Sequence, residues 1–169
     1  PSHIFTRLGL WDESISSNLA SADKANRYAQ SVMPGSTSFD ELHAVDYLVY
    51  AYLQQGRLDD AKKLVDKTTR VTKVYGANFA AAYAISAVPA RYALERRQWK
   101  EAAALTVPTN TPWEKYPYAE TNIHFARAIG VQWGLNGRMT PEIGNTTNLA
   151  FPNRGTLGGR LGAQGPEGT

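Results

Sequence analysis

The sequence has no cysteine, which excludes disulfides, thiolate metal sites, iron–sulfur clusters and a cysteine nucleophile. It has no run of about 18 apolar residues, the length that a helix needs to span a bilayer. Its opening residues do not follow a charged stretch with an apolar one, so a cytoplasmic location without membrane contact is expected. An excess of one charge is also missing: 18 Lys and Arg stand against 15 Asp and Glu, a net +3. The basic residues are scattered, with Lys62-Lys63 and Arg96-Arg97 the densest pairs, too thin a footprint for nucleic acid. Neither a Gly-x-x-x-x-Gly-Lys-Ser/Thr phosphate loop nor a Gly-x-Ser-x-Gly nucleophile elbow occurs. What the chain does have is 43% hydrophobic residues over a length of 169, enough for one domain with its own core.

Apolar residues recur at three- and four-residue spacing, and Pro or Gly clusters interrupt them at intervals, an all-helical pattern. Asp12 is placed to cap a helix that runs to about Met33 and carries Ile15, Leu19, Ala22, Ala25 and Ala29 on one stripe. Pro34-Gly35 ends it. Ser38-Phe39-Asp40-Glu41 reads as a capping box opening a helix to about Gln55. Gly56 then turns the chain into a partner helix, Leu58 to Val74, with Ala61, Leu64, Val65 and Thr68 inward. Gly76 closes that pair. Ala77 to Arg96 is alanine-rich and favours helix, but Pro89 lies inside it and predicts a kink near Ala84 to Val88. A short helix from Trp99 to Leu105, a loop from Thr106 to Tyr118 holding Pro108, Pro112 and Pro117, and a last helix from Ala119 to Asn136 complete the pattern.

The stretch Tyr52-Leu53-Gln54-Gln55-Gly56-Arg57-Leu58-Asp59-Asp60-Ala61 resembles the centre of a tetratricopeptide repeat, in which a tyrosine, a turn glycine and a small residue link two helices. Weaker copies run from Phe5 to Ser14 and from Ala93 to Ala102, the latter with Arg97 in place of the turn glycine, and half a copy runs from Gly130 to Gly137. About three and a half repeats therefore cover residues 1–137. The turns at Gly9, Gly56, Arg97 and Gly137 lie 47, 41 and 40 residues apart, against about 34 for a tetratricopeptide repeat and about 40 to 47 for the HEAT type. Val49 stands where a small residue is usual, and the closing proline is missing. The resemblance thus implies an all-α, right-handed superhelix of antiparallel helix pairs with enlarged units. The opening Pro1 to Gly9 also resembles a stretch within longer bacterial repeat proteins. It reads as the end of a helix whose beginning is missing, so a fragment of a longer protein is expected.

The resemblance further implies that the first helix of each pair lines a concave groove. Counting back from each turn, the inward residues are His3 and Arg7, then His43, Asp46, Tyr50 and Gln54, then Arg91 and Glu95, and finally His124 and Arg127. The implied role is a non-enzymatic scaffold that binds a protein or peptide and needs no cofactor. Arg7, Arg91 and Arg127 would favour acidic groups, and Tyr50 would give apolar contact. Arg91→Glu is then expected to weaken an acidic peptide without changing helical content. The carboxylate-clamp form of the family needs asparagines and lysines where this chain has Tyr50, Asp46 and Ala84, so chaperone-tail binding is not expected.

Three other readings stay open. A homodimer could form through an end face, where Ile4, Phe5, Leu8 and Ile15 would have an open flank. A metal site could use His43 and Asp46, three apart on one helical face with Glu41 or Asp40 nearby, provided His3 or His124 crosses the groove. Alternatively, His43 and Asp46 simply hydrogen-bond on one helix face. Trp11, Trp99, Tyr52 and Tyr92 read as packing between helices, whereas Trp113 would cap the groove or cover the third pair. Residues 138–169 form a Gly/Pro-rich extension: eight of the fourteen glycines fall between 137 and 169. Such a segment is too poor in apolar surface to offset its ordering entropy alone. Asn145-Thr146-Thr147 matches a glycosylation acceptor, but no secretory signal accompanies it.

Overall fold

The computed structural model describes residues 2–109, 111 and 115–134. Over these the chain forms α1 (Ser2–Leu8), α2 (Trp11–Val32), β1 (Thr37–Ser38), α3 (Phe39–Gln54), α4 (Leu58–Thr69), β2 (Val74–Tyr75), α5 (Phe79–Glu95), α6 (Trp99–Ala103) and α7 (Pro117–Gly134). The described residues are mostly helical, with one two-residue strand pair, consistent with an all-α fold. No helix among the described residues is long and apolar enough to cross a membrane. Trp113, the turn at Gly137 and the extension over 138–169 lie outside the described residues.

The three short turns share one backbone geometry. Gly9, Gly56 and Arg97 all adopt positive φ, at 71°, 69° and 53°. One residue later, the amides of Leu10, Arg57 and Gln98 donate to the carbonyls of Phe5, Tyr52 and Ala93, at 2.9, 2.8 and 3.0 Å, so each turn closes the orphaned carbonyls of the helix before it. The next helix then starts with Ser14, Ala61 or Ala102 donating back to that same turn residue, at 3.0, 3.1 and 2.9 Å. These three small side chains are all fully buried, where their size lets two helices approach.

Helices α1, α3, α5 and α7 touch in series, and α2, α4 and α6 each pack against two successive members of that row. The main core lies between α2, α3, α4 and α5, where Ile15, Val45, Leu48, Val49, Tyr52, Val65, Val88 and Tyr92 cluster. Burying a side chain such as Leu48 stabilises the fold by about 1.5–3 kcal/mol. A second cluster of Leu42, Val71, Ala81, Ala84 and Ile85 fills the other end of α3 and α5. Tyr52 and Tyr92 are core residues, and Trp11 packs against the same cluster, half-buried. Trp99 faces Trp133 across α6 and α7, ring centroids 6.3 Å apart. Those helices meet so closely that a Cβ on Gly130 would lie 2.4 Å from the Ala103 amide nitrogen.

Several local expectations are corrected. Asp12 does not cap α2, whose cap residue is Leu10; its carboxylate instead accepts from Gln55 Nε2 at 2.7 Å, pinning the start of α2 to the end of α3. Of the α2 stripe, Ile15 and Ala29 are buried, Ala22 packs against the core and Ala25 is half-buried, but Leu19 is exposed, and Ser14 and Asn18 are buried in addition. Ser38 does cap α3, accepting from the Glu41 amide at 3.1 Å, but the Glu41 side chain turns inward and accepts from Asn26 at 3.0 Å and from Lys67. Helix α4 stops at Thr69 rather than Val74, because Val74 and Tyr75 pair in parallel with Thr37 and Ser38. Asn78 caps α5, accepting from the Ala81 amide at 3.1 Å, and the helix runs on past Pro89 to Glu95. The last helix begins at Pro117, two residues early, since proline suits the first turn.

Candidate functional site

The row of α1, α3 and α5 carries a polar and aromatic strip. His43 lies in the first half of α3, and residues three and four positions on share its face. One turn later stand Asp46 and Tyr47, and then Tyr50. From α1, His3 reaches across so that its Nε2 lies 3.1 Å from His43 Nε2. Tyr47 stands beside both imidazoles, its ring centroid 4.7 Å from that of His3 and 5.3 Å from that of His43. Partial desolvation, then the neighbouring His43, hold the His3 imidazole below its ordinary range. Burial, then the Asp46 carboxylate, push the Tyr47 phenol above its own, with Arg7 pulling the other way.

From α5, Arg91 completes the strip. Its Nη1 donates to the Asp46 carboxylate and, at 3.1 Å, to the Asp46 carbonyl. The guanidinium lies over the Tyr50 ring, 5.3 Å from the centroid, and Trp11 makes a T-shaped contact with that ring at 5.5 Å. Asp46 is buried, so its charge needs this partner. His43 and Asp46 therefore do not bond to each other: each is paired across to a different helix. Beyond Arg91, a cleft of about 220 Å³ opens between α5 and α7, lined by Tyr83, Arg91, Glu95, Asn122 and Phe125 among others.

The structure thus brings together His3, His43, Asp46, Tyr50 and Arg91, with Arg7 exposed beside them and Glu95 on the cleft rim. Gln54 is exposed and outside the cluster. His124 pairs with Glu120 on its own helix at 3.2 Å, and the cleft is lined by Asn122 and Phe125 rather than by His124 or Arg127. Among the described residues no three His, Cys, Asp or Glu side chains converge to hold a metal ion. Asp46 is committed to Arg91, and Glu41 to Asn26 and Lys67.

Comparison with family models, with curated proteins and with solved structures finds no match. The site's chemistry therefore has to be read from its own residues. Counting back from the turns misses Tyr47, which touches both histidines, although it lies four residues after His43 and so on the same face. It also misses Trp11 as a partner for Tyr50, because that contact joins the start of α2 to the middle of α3.

Proposed function

We propose that residues 1–137 form a tetratricopeptide-like right-handed superhelix of antiparallel helix pairs, and that the chain is a non-enzymatic scaffold for an extended protein or peptide segment. The observation that carries the binding reading is the continuous strip of His3, Tyr47, His43, Tyr50 and Arg91 over α1, α3 and α5. Rings and fixed hydrogen-bonding groups side by side suit a segment lying across successive helices. The repeated turn geometry supports the superhelix, since similar turns fold each successive helix pair alike. Preference for acidic groups falls to Arg7, which is exposed and forms no ion pair among the described residues, while Arg91 is held by Asp46.

The test is fluorescence polarisation with a panel of labelled ten-residue peptides that differ in acidic content. Acidic members are expected to bind, and Arg7→Glu should weaken them about tenfold, the worth of one charged hydrogen bond. Arg127→Glu should leave them unchanged. No binding by any peptide, or equal weakening by the two variants, would sink the reading.

A self-assembling role is supported by a separate observation. Aligned on the turns, Ile4 corresponds to Ala51 and Tyr92. Those two are 0% and 5% exposed, but Ile4 is 63% and its neighbour Leu8 is 66% exposed. The flank that a preceding helix covers in later units is bare on α1, although Phe5 is half-buried and Ile15 is buried in the core. Light scattering coupled to size exclusion, over about a hundredfold in concentration, should show a dimer that dissociates on dilution and that Ile4→Glu abolishes. A monomer throughout excludes it.

A further inference from the structure

We propose that His3 and His43 together bind a divalent transition-metal ion of the Zn2+, Ni2+ and Cu2+ group, fastening α1 to α3. The two Nε2 atoms approach to 3.1 Å from different helices. At about 2.05 Å per metal–nitrogen bond, that separation gives an N–metal–N angle of roughly 98°, between square-planar and tetrahedral values. Each metal–nitrogen bond would then lie roughly 41° off the line joining the two Nε2 atoms, so the rings must pivot from the hydrogen-bonded contact to chelate. Their setting is fixed from the side: both rings lean on Tyr47, and they meet each other at an interplanar angle of 74°.

In the ion-free contact, one ring donates its Nε2 proton to the other. Binding requires that proton to move to Nδ1 of the same ring, so both Nε2 lone pairs face the ion and no net proton is lost. Among the described residues no third His, Cys, Asp or Glu is grouped with the two imidazoles to hold a metal ion; Asp46 faces Arg91 and Glu41 accepts from Asn26 and Lys67. The remaining positions go to water, and the ion is exchangeable rather than a permanent structural element. Affinity should follow the usual order, with Cu2+ tightest. Helix α1 has no buried residue of its own, so the ion would add a covalent-like tie where packing is thinnest. This inference is independent of the peptide-binding reading.

The experiment is calorimetric titration of the untagged full chain with each of the three ions, alongside hydrogen exchange of the α1 amides with and without Zn2+. One equivalent is expected, with slower exchange in α1 when it is bound. His3→Gln and His43→Gln should each weaken binding about tenfold or more, since even outer partners of a ligand are worth that much, and His124→Gln should not. His3 is exposed, so its variant is not at risk of misfolding and decides the matter if the His43 variant proves unstable. Three results overturn the proposal: no binding by wild type at about 100 µM ion, binding that survives His3→Gln, or loss in His124→Gln, which would move the ion to the Glu120–His124 pair.

Discussion

Replacing Arg97 by glycine should stabilise this fold, and replacing Gly56 by alanine should destabilise it by a similar amount. Both residues sit at the same place in equivalent turns, in the left-handed region at φ 53° and 69°. A side chain there costs about 1–2 kcal/mol, because Cβ crowds the carbonyl that follows. Glycine escapes that cost but loses more freedom on folding, by about 0.5–1 kcal/mol. The balance for Arg97→Gly is a gain of about 1 kcal/mol. At Gly56 an added Cβ would meet nothing within 4 Å, so the loss is a backbone effect, again about 1 kcal/mol. In urea unfolding followed by far-UV circular dichroism, the two midpoints should move in opposite directions from wild type with unchanged slopes. Thermal midpoints should shift by about 3 to 5 °C each. If Arg97→Gly lowers the midpoint, the Arg97 side chain is contributing more than its backbone costs, and the equivalence of the turns as an energetic statement fails.

Gly130→Ala should destabilise the protein even though alanine is the better helix former. The new Cβ would lie 2.4 Å from the Ala103 nitrogen and 2.6 Å from the Trp99 carbonyl oxygen, both backbone atoms, and overpacking at about 1–3 kcal/mol outweighs a propensity gain of about 1 kcal/mol; a lower thermal midpoint checks it. Lys67→Met should cost about 2 kcal/mol, less than a fully buried pair because Lys67 is half-exposed, since it leaves the wholly buried Glu41 carboxylate with Asn26 as its remaining side-chain donor. Adding Glu41→Gln to that variant should recover part of the loss in a double-mutant cycle of urea midpoints. Burial raises the Tyr52 phenol above its ordinary value, with Arg57 opposing. Its neutral form is therefore favoured in the fold: stability holds below about pH 10 and falls as pH climbs through the raised value. Tyr52→Phe should flatten that fall, with a residual slope from Tyr47 and Tyr75, which are also raised.

The helices and their turns were legible because their signals are local. Gly9 and Gly56 mark turns by their freedom at positive φ, and Ser38 marks a start by its cap. The misreadings arise where a distant residue decides. Glu41 would reach back to its own helix start if Asn26 and Lys67 did not draw it inward. On α2 the stripe holds except at Leu19, because the buried face there is partly polar. Asn18 donates to the Ser14 carbonyl at 2.8 Å, and the Ser14 hydroxyl meets that of Thr6 at 2.8 Å. A buried group of this kind satisfies itself and carries no hydrophobic period, so Leu19 reads as part of the stripe although it is exposed. The end of α4 had a local warning in Thr68-Thr69-Arg70-Val71-Thr72, rich in β-branched residues that favour extended backbone. The strand pairing itself depends on Thr37, thirty-seven positions away by number from Val74.

For the candidate site, face and pairing separate in the same way. Position within a helix is enough to put His3, His43, Asp46, Tyr50 and Arg91 on one strip, since each is counted from a turn in its own helix. It does not say that Asp46 and Arg91 neutralise each other across α3 and α5, and that contact changes what a mutation measures. Arg91→Glu reads in the sequence as a probe of ligand charge that leaves the fold alone. In the structure it would bring a second carboxylate to a buried Asp46 and remove its partner, at about 3–5 kcal/mol for a broken buried pair. Weaker peptide binding by that variant would then report on the fold as much as on the groove. Arg7→Glu reverses an exposed charge beside the same strip and disturbs no ion pair among the described residues. If Arg7→Glu weakens an acidic peptide while its unfolding midpoint stays at the wild-type value, the loss belongs to recognition; if both fall together, the strip is serving stability and the ligand must be sought elsewhere.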